Sequence, residues 1–176
     1  MGKQAEALNL QPVPLETAKK LADHIVDRLY VNGHVSRIIV AGSIRRRCAM
    51  TTDIDIQAIP KPNGDPAGYL TSHPKVTKVL RSGGDITSVV WKEGGIEMVV
   101  DLYLTTDEAW FAHLMFLTGS GKLNIRHRAA AKRKGFKLSQ HGLFGADGER
   151  IPLSSERQAY AILNFTWHDP WDRSEG

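Results

Sequence analysis

Hydrophobic and polar positions divide the first hundred residues into one long helix and several strands. Apolar residues recur every three or four positions over residues 14–29, which predicts an amphipathic helix that ends at the turn signal Asn32-Gly33. Short β-branched runs at 37–40 and 54–59 predict two strands. The chain therefore begins with a helix packed on strands.

The following residues extend this pattern to a mixed α/β unit. Two apolar runs at 86–91 and 96–104, joined by a Gly-Gly turn, predict a β-hairpin. Helical spacing of three apolar residues predicts a short helix over 74–81, after a loop at 60–68. Residues 1–11 have no periodic pattern and are predicted to form a tail.

From residue 105 the pattern changes to helices followed by short strands. Thr105 and Glu108 have the spacing of a capping box, and so do Ser155 and Gln158, which predicts a helix start at each pair. Between them we predict a helix over 122–134 and strands at 136–138, 142–144 and 150–153. The predicted organisation is a tail over 1–11, an α/β domain over 12–105 and a smaller α+β domain over 106–176.

Composition indicates a globular protein of the cell interior. The 176 residues are 41% hydrophobic and 24% charged, and no apolar run approaches the roughly 20 residues that span a bilayer. The polar N-terminus has no signal-peptide core. One cysteine, Cys48, excludes an internal disulfide and is typical of a reducing compartment. We expect a soluble protein of a bacterial cytoplasm, or of a virus or phage in its host cell.

The positive charge is concentrated in one segment. The net charge is +4, but residues 119–137 contain seven lysines and arginines and no acid, so the remainder of the chain sums to −3. A solvated helix face would normally carry interspersed acids. The segment therefore predicts a localised contact with a polyanion.

Three aspartates form the candidate metal site. Asp53 and Asp55 are two residues apart on a predicted strand, so both side chains lie on one face, about 6.6 Å apart along the strand. Asp101 interrupts an apolar strand and is the natural third carboxylate. Ligands that are all oxygen favour Mg²⁺, and such a set can hold two ions roughly 3.5–4 Å apart.

A Gly-Ser turn before the aspartates supplies the second part of the chemistry. Gly42 lets the backbone approach a phosphate, Ser43 can donate a hydrogen bond to it, and the following arginines can neutralise its charge. No glycine-rich loop of the P-loop type is present in the sequence. Together, the turn and the aspartates predict phosphoryl transfer.

These motifs resemble the nucleotidyltransferase superfamily that includes DNA polymerase beta. In the second half, Phe116-Leu117-Thr118-Gly119-Ser120 and the segment 124–128 resemble the thumb-like subdomain of the family X DNA polymerases, as do 133–138, 142–144 and 167–173. The resemblance covers about residue 14 to the C-terminus. It implies a polymerase palm with a mixed sheet followed by a small α+β thumb-like subdomain, as in the smallest viral members.

The resemblance also implies a template-dependent DNA polymerase and a role for each matching residue. Asp53, Asp55 and Asp101 would hold two magnesium ions, with Mn²⁺ able to substitute, and Asp101 would lie nearest the attacking 3′-hydroxyl. Ser43 and Arg46 would hold the triphosphate. The other implied contacts are Gly42 and Arg45 in the turn, Phe116, Leu117, Thr118, Gly119 and Asn124 around the nucleotide, and Arg128, Lys132, Arg133, Lys134 and Lys137 on DNA.

The implied partners are a deoxynucleoside triphosphate and gapped or nicked primer-template DNA, with repair as the setting. We expect a monomer without membrane contact. No deoxyribose-phosphate lyase activity is expected, because the residues before Pro14 are too few for a lyase domain. The sequence departs from the usual motif at Phe116, where relatives carry a tyrosine, at Leu117, which replaces the second aromatic of the pair, and at Arg47, where many carry glycine.

Two alternatives remain open at this point. A transferase could place a nucleotide on a small molecule, an RNA end or a protein without a DNA template. A DNA-binding module could have lost catalysis, although all three carboxylates are present.

Overall fold

The computed structural model describes residue 5 and residues 7–173. The predicted tail over 1–11 lies partly outside these residues. Within them, Ala5 is buried, and its carbonyl oxygen accepts a hydrogen bond from the backbone N–H of Leu10 at 3.0 Å. The chain divides into two compact units, Met1–Leu104 and Thr105–Gly176. Among the described residues, no helix has the length and apolar character needed to cross a membrane.

The first unit is built on a five-stranded mixed sheet. Its helices are α1 (Leu15–Val31), α2 (Gly42–Arg45) and α3 (Pro66–Thr71), and its strands are β1 (Val13–Pro14), β2 (Val35–Val40), β3 (Met50–Thr51), β4 (Asp53–Pro60), β5 (Val76–Arg81), β6 (Ile86–Glu93) and β7 (Ile96–Leu104). The sheet order is β2-β4-β7-β6-β5. Strands β4 and β7 run parallel, whereas the other neighbours run antiparallel. The predicted mixed sheet, first helix and hairpin are confirmed.

Helix α1 covers one face of this sheet with a stripe of small and aliphatic side chains. The buried members are Ala18, Ala22, Ile25 and Leu29, which recur at the spacing of one helix face. The core beneath them contains Ile54 and Ile56 of β4 and Met98, Val100 and Leu102 of β7. Because side chains alternate along a strand, the intervening residues of β4 and β7 lie on the opposite face, where the aspartates are.

The predicted helix over 74–81 is wrong. Most of this segment is the edge strand β5, which pairs antiparallel with β6, and the helix lies earlier, at Pro66–Thr71, where it overlaps the end of the predicted loop over 60–68. Asp65 caps that helix, because its carboxylate accepts a hydrogen bond from the backbone N–H of Gly68 at 2.8 Å. Three apolar residues at helical spacing favour a helix only weakly. Pairing with β6 supplies backbone hydrogen bonds that outweigh this preference.

The second unit is a small α+β domain. Its elements are α4 (Trp110–Thr118), α5 (Gly121–Arg133), β8 (Lys137–Ser139), β9 (Gly142–Phe144), β10 (Arg150–Ile151), α6 (Glu156–Leu163) and a 3₁₀ turn (Pro170–Asp172). The three strands form an antiparallel sheet in the order β10-β9-β8. A separate core, which includes Met115, Leu143 and Tyr160, joins this sheet to the helices. The basic helix predicted at 122–134 is confirmed as α5.

The two predicted capping boxes have different outcomes. The box at Thr105 and Glu108 is wrong, because α4 begins at Trp110 after a turn and has no side-chain cap. At the second box, Ser155 is confirmed as the N-cap of α6, with its hydroxyl accepting from the backbone N–H of Gln158 at 3.1 Å. The side chain of Gln158 accepts a hydrogen bond from the backbone N–H of Ser154 at 2.6 Å. A capping box would use the backbone N–H of Ser155 instead.

Candidate active site

The turn α2 is shaped to receive a carboxylate of the neighbouring strand. Gly42 has φ +56°, and a Cβ atom at this position would overlap Oδ2 of Asp55. The backbone N–H of Ala41 donates to the carbonyl of Asp55 at 2.8 Å, which anchors the turn beside β4. Glycine is therefore needed here both for a left-handed backbone and for the close approach of Asp55.

Parallel pairing of β4 and β7 places the third aspartate beside the first two. In the register of these strands Asp55 lies opposite Asp101, and Asp53 lies opposite Val99. Because both strands alternate in step, Asp53, Asp55 and Asp101 lie on one face of the sheet. On the other side of β7, Asp101 pairs with Ser88 of β6.

Burial and neighbouring carboxylates disfavour the charged forms of Asp55 and Asp101. Burial, followed by the charges of Asp53 and Asp101, raises the pKa of Asp55 to about 8, although Arg46 and Tyr103 act in the opposite direction. Burial also raises the pKa of Asp101, and Ser88 lowers it. A bound cation would relieve this mutual repulsion.

The donor set fits a hard cation. All candidate ligands are carboxylate oxygens, and Oδ1 of Asp101 is buried without a hydrogen-bond partner among the described residues. Within that same part of the chain, no three acidic, histidine or cysteine side chains are gathered into a finished metal cluster. The sheet therefore brings the carboxylates to one face without closing them around a metal position.

A cavity of about 340 Å³ connects the turn to the aspartates. Its lining includes four residues predicted from sequence, namely Ser43, Arg46, Asp53 and Asp55. Asp101, Gly42 and Arg45 are not among its lining residues. The lining also contains residues that the sequence analysis missed: Pro12, Cys48, Met50, Thr51 and Thr52.

Thr51 ties the serine of the turn to the aspartate strand. The Ser43 and Thr51 hydroxyls are hydrogen-bonded at 2.5 Å, and Oγ1 of Thr51 donates to the backbone carbonyl of Asp53 at 3.0 Å. Two hydroxyl residues directly before Asp53 were the sequence signal that could have indicated this role. Arg47, on the other side of the turn, is exposed and has φ +57°, a conformation that glycine adopts at lower cost.

In the second unit, a side-chain hydrogen bond links the residues that are predicted to surround the nucleotide. Thr118 and Gly119 end α4, and the side chain of Asn124 donates to the carbonyl of Phe116 at 2.6 Å. A Cβ atom at Gly119 would lie 2.8 Å from Oδ1 of Asn124, so glycine allows Asn124 to pack there. Phe116 and Leu117 are partly exposed. Contacts of this segment with a nucleotide stay predictions.

The basic segment does not form one surface. Lys132 and Lys137 line a cavity with Phe136 and Phe144. Other basic side chains, including Arg133 and Lys134, line a separate cavity on another side of α5. Arg128 is exposed and lines neither.

Comparisons with known proteins agree with both units. Residues 113–174 match the family model of the DNA polymerase beta thumb. The chain is 30% identical to the DNA polymerase/3′-5′ exonuclease PolX of Bacillus subtilis over 176 residues, which are 99% of this chain and 30% of that protein. It is 28% identical to the repair DNA polymerase X of African swine fever virus, with 88% of this chain and 95% of the viral protein covered.

A solved structure supports the fold. The crystal structure of Leishmania infantum polymerase beta, a ternary P/T complex, superposes with a TM-score of 0.83 over 94% of this chain and 77% of that chain, at 18% sequence identity. The chain thus spans less than a third of the bacterial relative but nearly the whole length of the viral one. The resemblance of this chain to the family X DNA polymerases is confirmed, and residues 113–174 of its second unit match the polymerase beta thumb.

Proposed function

We propose that this protein is a template-dependent DNA polymerase that adds deoxynucleotides to a primer 3′-hydroxyl, with gap filling in DNA repair as its role. The observation that carries the proposal is the register of β4 and β7, which sets Asp101 opposite Asp55 on the sheet face next to the Ser43 and Arg46 cavity. The names of the relatives, repair DNA polymerase X among them, support the same reaction.

The three aspartates would hold two divalent ions, Mg²⁺ or Mn²⁺. Such ions, when bound, help to deprotonate the attacking hydroxyl and stabilise charge on the phosphoryl group in transfer. Asp55 is packed against the backbone of Gly42, which restricts its side chain. Asp101 presents a buried oxygen with no hydrogen-bond partner among the described residues. These two side chains would therefore orient the ions, and Asp101 would lie nearest the 3′-hydroxyl.

The turn would hold the triphosphate. Ser43 and Arg46 line the same cavity as Asp53, so a bound phosphate chain could contact a hydroxyl, a guanidinium and the metal-binding strand together. The hydrogen bond between the Ser43 and Thr51 hydroxyls holds the Ser43 side chain in that cavity. Arg45 would contribute by shaping the turn rather than by lining the cavity.

The second unit would bind the nucleotide and the DNA. Asn124, held by its bond to the Phe116 carbonyl, would face the base edge, and the segment 116–119 would lie along the sugar. Arg128, Lys132, Arg133, Lys134 and Lys137 would contact DNA phosphates, which contribute affinity without sequence preference. The proposal includes a monomer as the active form and excludes a deoxyribose-phosphate lyase activity.

Primer extension tests the proposal. The parent, Asp101→Asn and the matched control Asp85→Asn, an exposed acid before β6, are compared on a one-nucleotide-gapped duplex with Mg²⁺ and single deoxynucleotides. We expect the complementary nucleotide to be added by the parent and the control, and the Asp101 variant to be about 100- to 1,000-fold slower.

Three outcomes would contradict the proposal. An inactive parent would remove the polymerase assignment, and an Asp101 variant as fast as the parent would remove the metal-site assignment. Addition that is independent of the template base would favour a transferase that acts without a DNA template.

A further inference from the structure

The second unit contains a basic cavity that groups two of the proposed DNA contacts, Arg133 and Lys134, with Arg126 and His168. It has a volume of about 480 Å³ and lies between α5 and the segment that follows α6. Its basic lining residues are Arg126, Arg133, Lys134 and His168, and none of the described lining residues is acidic. We infer that this cavity binds one phosphate group of a polynucleotide backbone, as a site separate from the Asn124 and Arg128 side of α5.

The spacing of residues along α5 builds the first wall of this site. Arg126, Ala130 and Arg133 are four and three residues apart, so they share one helix face. Ala130 is buried and small, which leaves space between the two arginines. The arrangement places two guanidinium groups on the same side of the helix, where they can donate to one anion.

Contacts within the unit restrict two of the cations. The guanidinium carbon of Arg126 lies 5.8 Å from the ring centroid of Phe165, in a cation–π arrangement that restricts the side chain. The ammonium of Lys134 donates to the carbonyl oxygen of Ile162 at 2.8 Å. Because both side chains are already restricted before binding, the entropic cost of binding a ligand is lower.

The end of α6 supplies the opposite wall. Asn164 adopts a left-handed conformation with φ +60°, which turns the chain so that Phe165 and Thr166 line the cavity. The C-terminal carbonyls of a helix repel an anion. The carbonyl of Ile162, however, already accepts a hydrogen bond from the ammonium of Lys134. The remaining positive charge of Arg126 and Arg133 therefore faces the cavity without an acidic neighbour in its described lining.

The site deepens the proposed function, on which its choice of a polynucleotide rests. The sequence assigned Arg133 and Lys134 to the same basic stripe as Lys132 and Lys137, whereas the structure puts the two pairs in different cavities. A separate phosphate contact at this cavity would hold one strand at a second point along α5.

Salt-dependent DNA binding tests the inference. Binding of the full-length protein to a gapped duplex is measured by fluorescence anisotropy between 50 and 200 mM KCl for the parent, Arg126→Gln/Arg133→Gln and the single variant Arg133→Gln. The control Lys20→Gln removes an exposed charge from α1 of the first unit. Loss of one phosphate contact should reduce the slope of log K against log salt by about 0.9, and the control should match the parent.

An NMR titration identifies the source of the phosphate. Amide shifts of Asn164, Phe165 and Thr166 are followed with a short single-stranded oligonucleotide and, separately, with inorganic phosphate. Shifts with the oligonucleotide that disappear in Arg133→Gln support binding of a backbone phosphate. Shifts with inorganic phosphate alone would overturn the assignment of a polynucleotide as the ligand and leave a site for a free anion. Unchanged salt slopes with no shifts from either ligand would overturn the site itself.

Primer extension by the same variants separates this inference from the proposed function. If the parent polymerises and the variants keep the parental salt slope, only the cavity assignment fails. If the parent does not polymerise but the slope falls in the variants, the phosphate site stands and the polymerase assignment fails. Arg133 is exposed, so its single variant should keep the fold even if the double variant loses the contact between Arg126 and Phe165.

Discussion

The two units bury charge in opposite ways. In the first unit, Asp53, Asp55 and Asp101 share one sheet face, and burial together with neighbouring carboxylates raises the pKa of Asp55 and of Asp101. In the second unit, Arg173 is buried against Glu156, with Nη1 2.7 Å from Oε1. Like charges held together indicate a site that needs a ligand, whereas a closed ion pair needs only the fold around it.

The closed pair also holds the end of the chain. The Arg173 guanidinium lies 5.1 Å from the ring centroid of Tyr160 and 4.8 Å from that of Trp167. Its Nε donates to the carbonyl of His168 at 3.0 Å. One side chain therefore joins α6 to the last described residues, although it lies far along the sequence from the aspartates of the candidate site.

Breaking the ion pair should have the largest effect on stability. Arg173→Ala leaves Glu156 buried without its partner, and we expect the free energy of unfolding to fall by about 3–5 kcal/mol. Urea unfolding of the full-length protein measures this loss. The double variant Arg173→Met/Glu156→Gln should recover part of it, and a double variant no more stable than Arg173→Ala would show that packing, rather than charge pairing, dominates.

A buried histidine of the second unit makes the stability of the protein depend on pH. His127 packs between the rings of Tyr160 and Phe165, with centroids 4.6 and 4.8 Å away. Burial, with Arg173 next, lowers the pKa of His127 to about 4. The unfolded chain, with a usual pKa near 6.5, then binds the proton more readily, so stability falls as pH decreases from about 6.5 towards 4.

Unfolding at two pH values tests this effect. Between pH 7 and pH 4.5 the parent should lose about 2 kcal/mol through His127, and His127→Phe should lose that much less. The exposed His141→Asn serves as the control. Equal losses in the parent and His127→Phe would mean that His127 does not stay neutral in the folded protein.

Relieving the like charges of the first unit should have a smaller and opposite effect. Asp55→Asn keeps the shape of the side chain that packs against Gly42 and removes a carboxyl group whose raised pKa makes its charged form costly. We expect the free energy of unfolding in EDTA to rise by about 1 kcal/mol, with loss of primer extension. A variant less stable than the parent would indicate that Asp55 has a favourable partner in the metal-free protein.

Several features of the candidate site could be predicted because they depend on local geometry. The period of two along a strand places Asp53 and Asp55 on one face, and the same rule separates Asp101 from Met98, Val100 and Leu102. The glycine of the turn was predicted for its backbone freedom. The need to make room for Asp55 depends on a residue thirteen positions away and could not be predicted.

Other features depended on pairing and packing between distant segments. The segment 74–81 became a strand because the edge of β6 was open to it, and the basic residues of α5 were divided by the packing of Phe165 and of the strands beside the helix. The signal from three apolar residues, or from a run of like charges, does not contain that information.

The sequence by itself determined the chemical groups of the candidate site: three carboxylates, a Gly-Ser turn with arginines, and an acid-free basic helix, in an order that resembles the family X polymerases. Only the tertiary structure decided that Asp101 lies opposite Asp55, that Thr51 holds Ser43, and that the basic helix has two separate cavities. The physical reason is that periodicity sets the face of a residue within its own element, whereas the neighbour across that face is set by strand register and core packing.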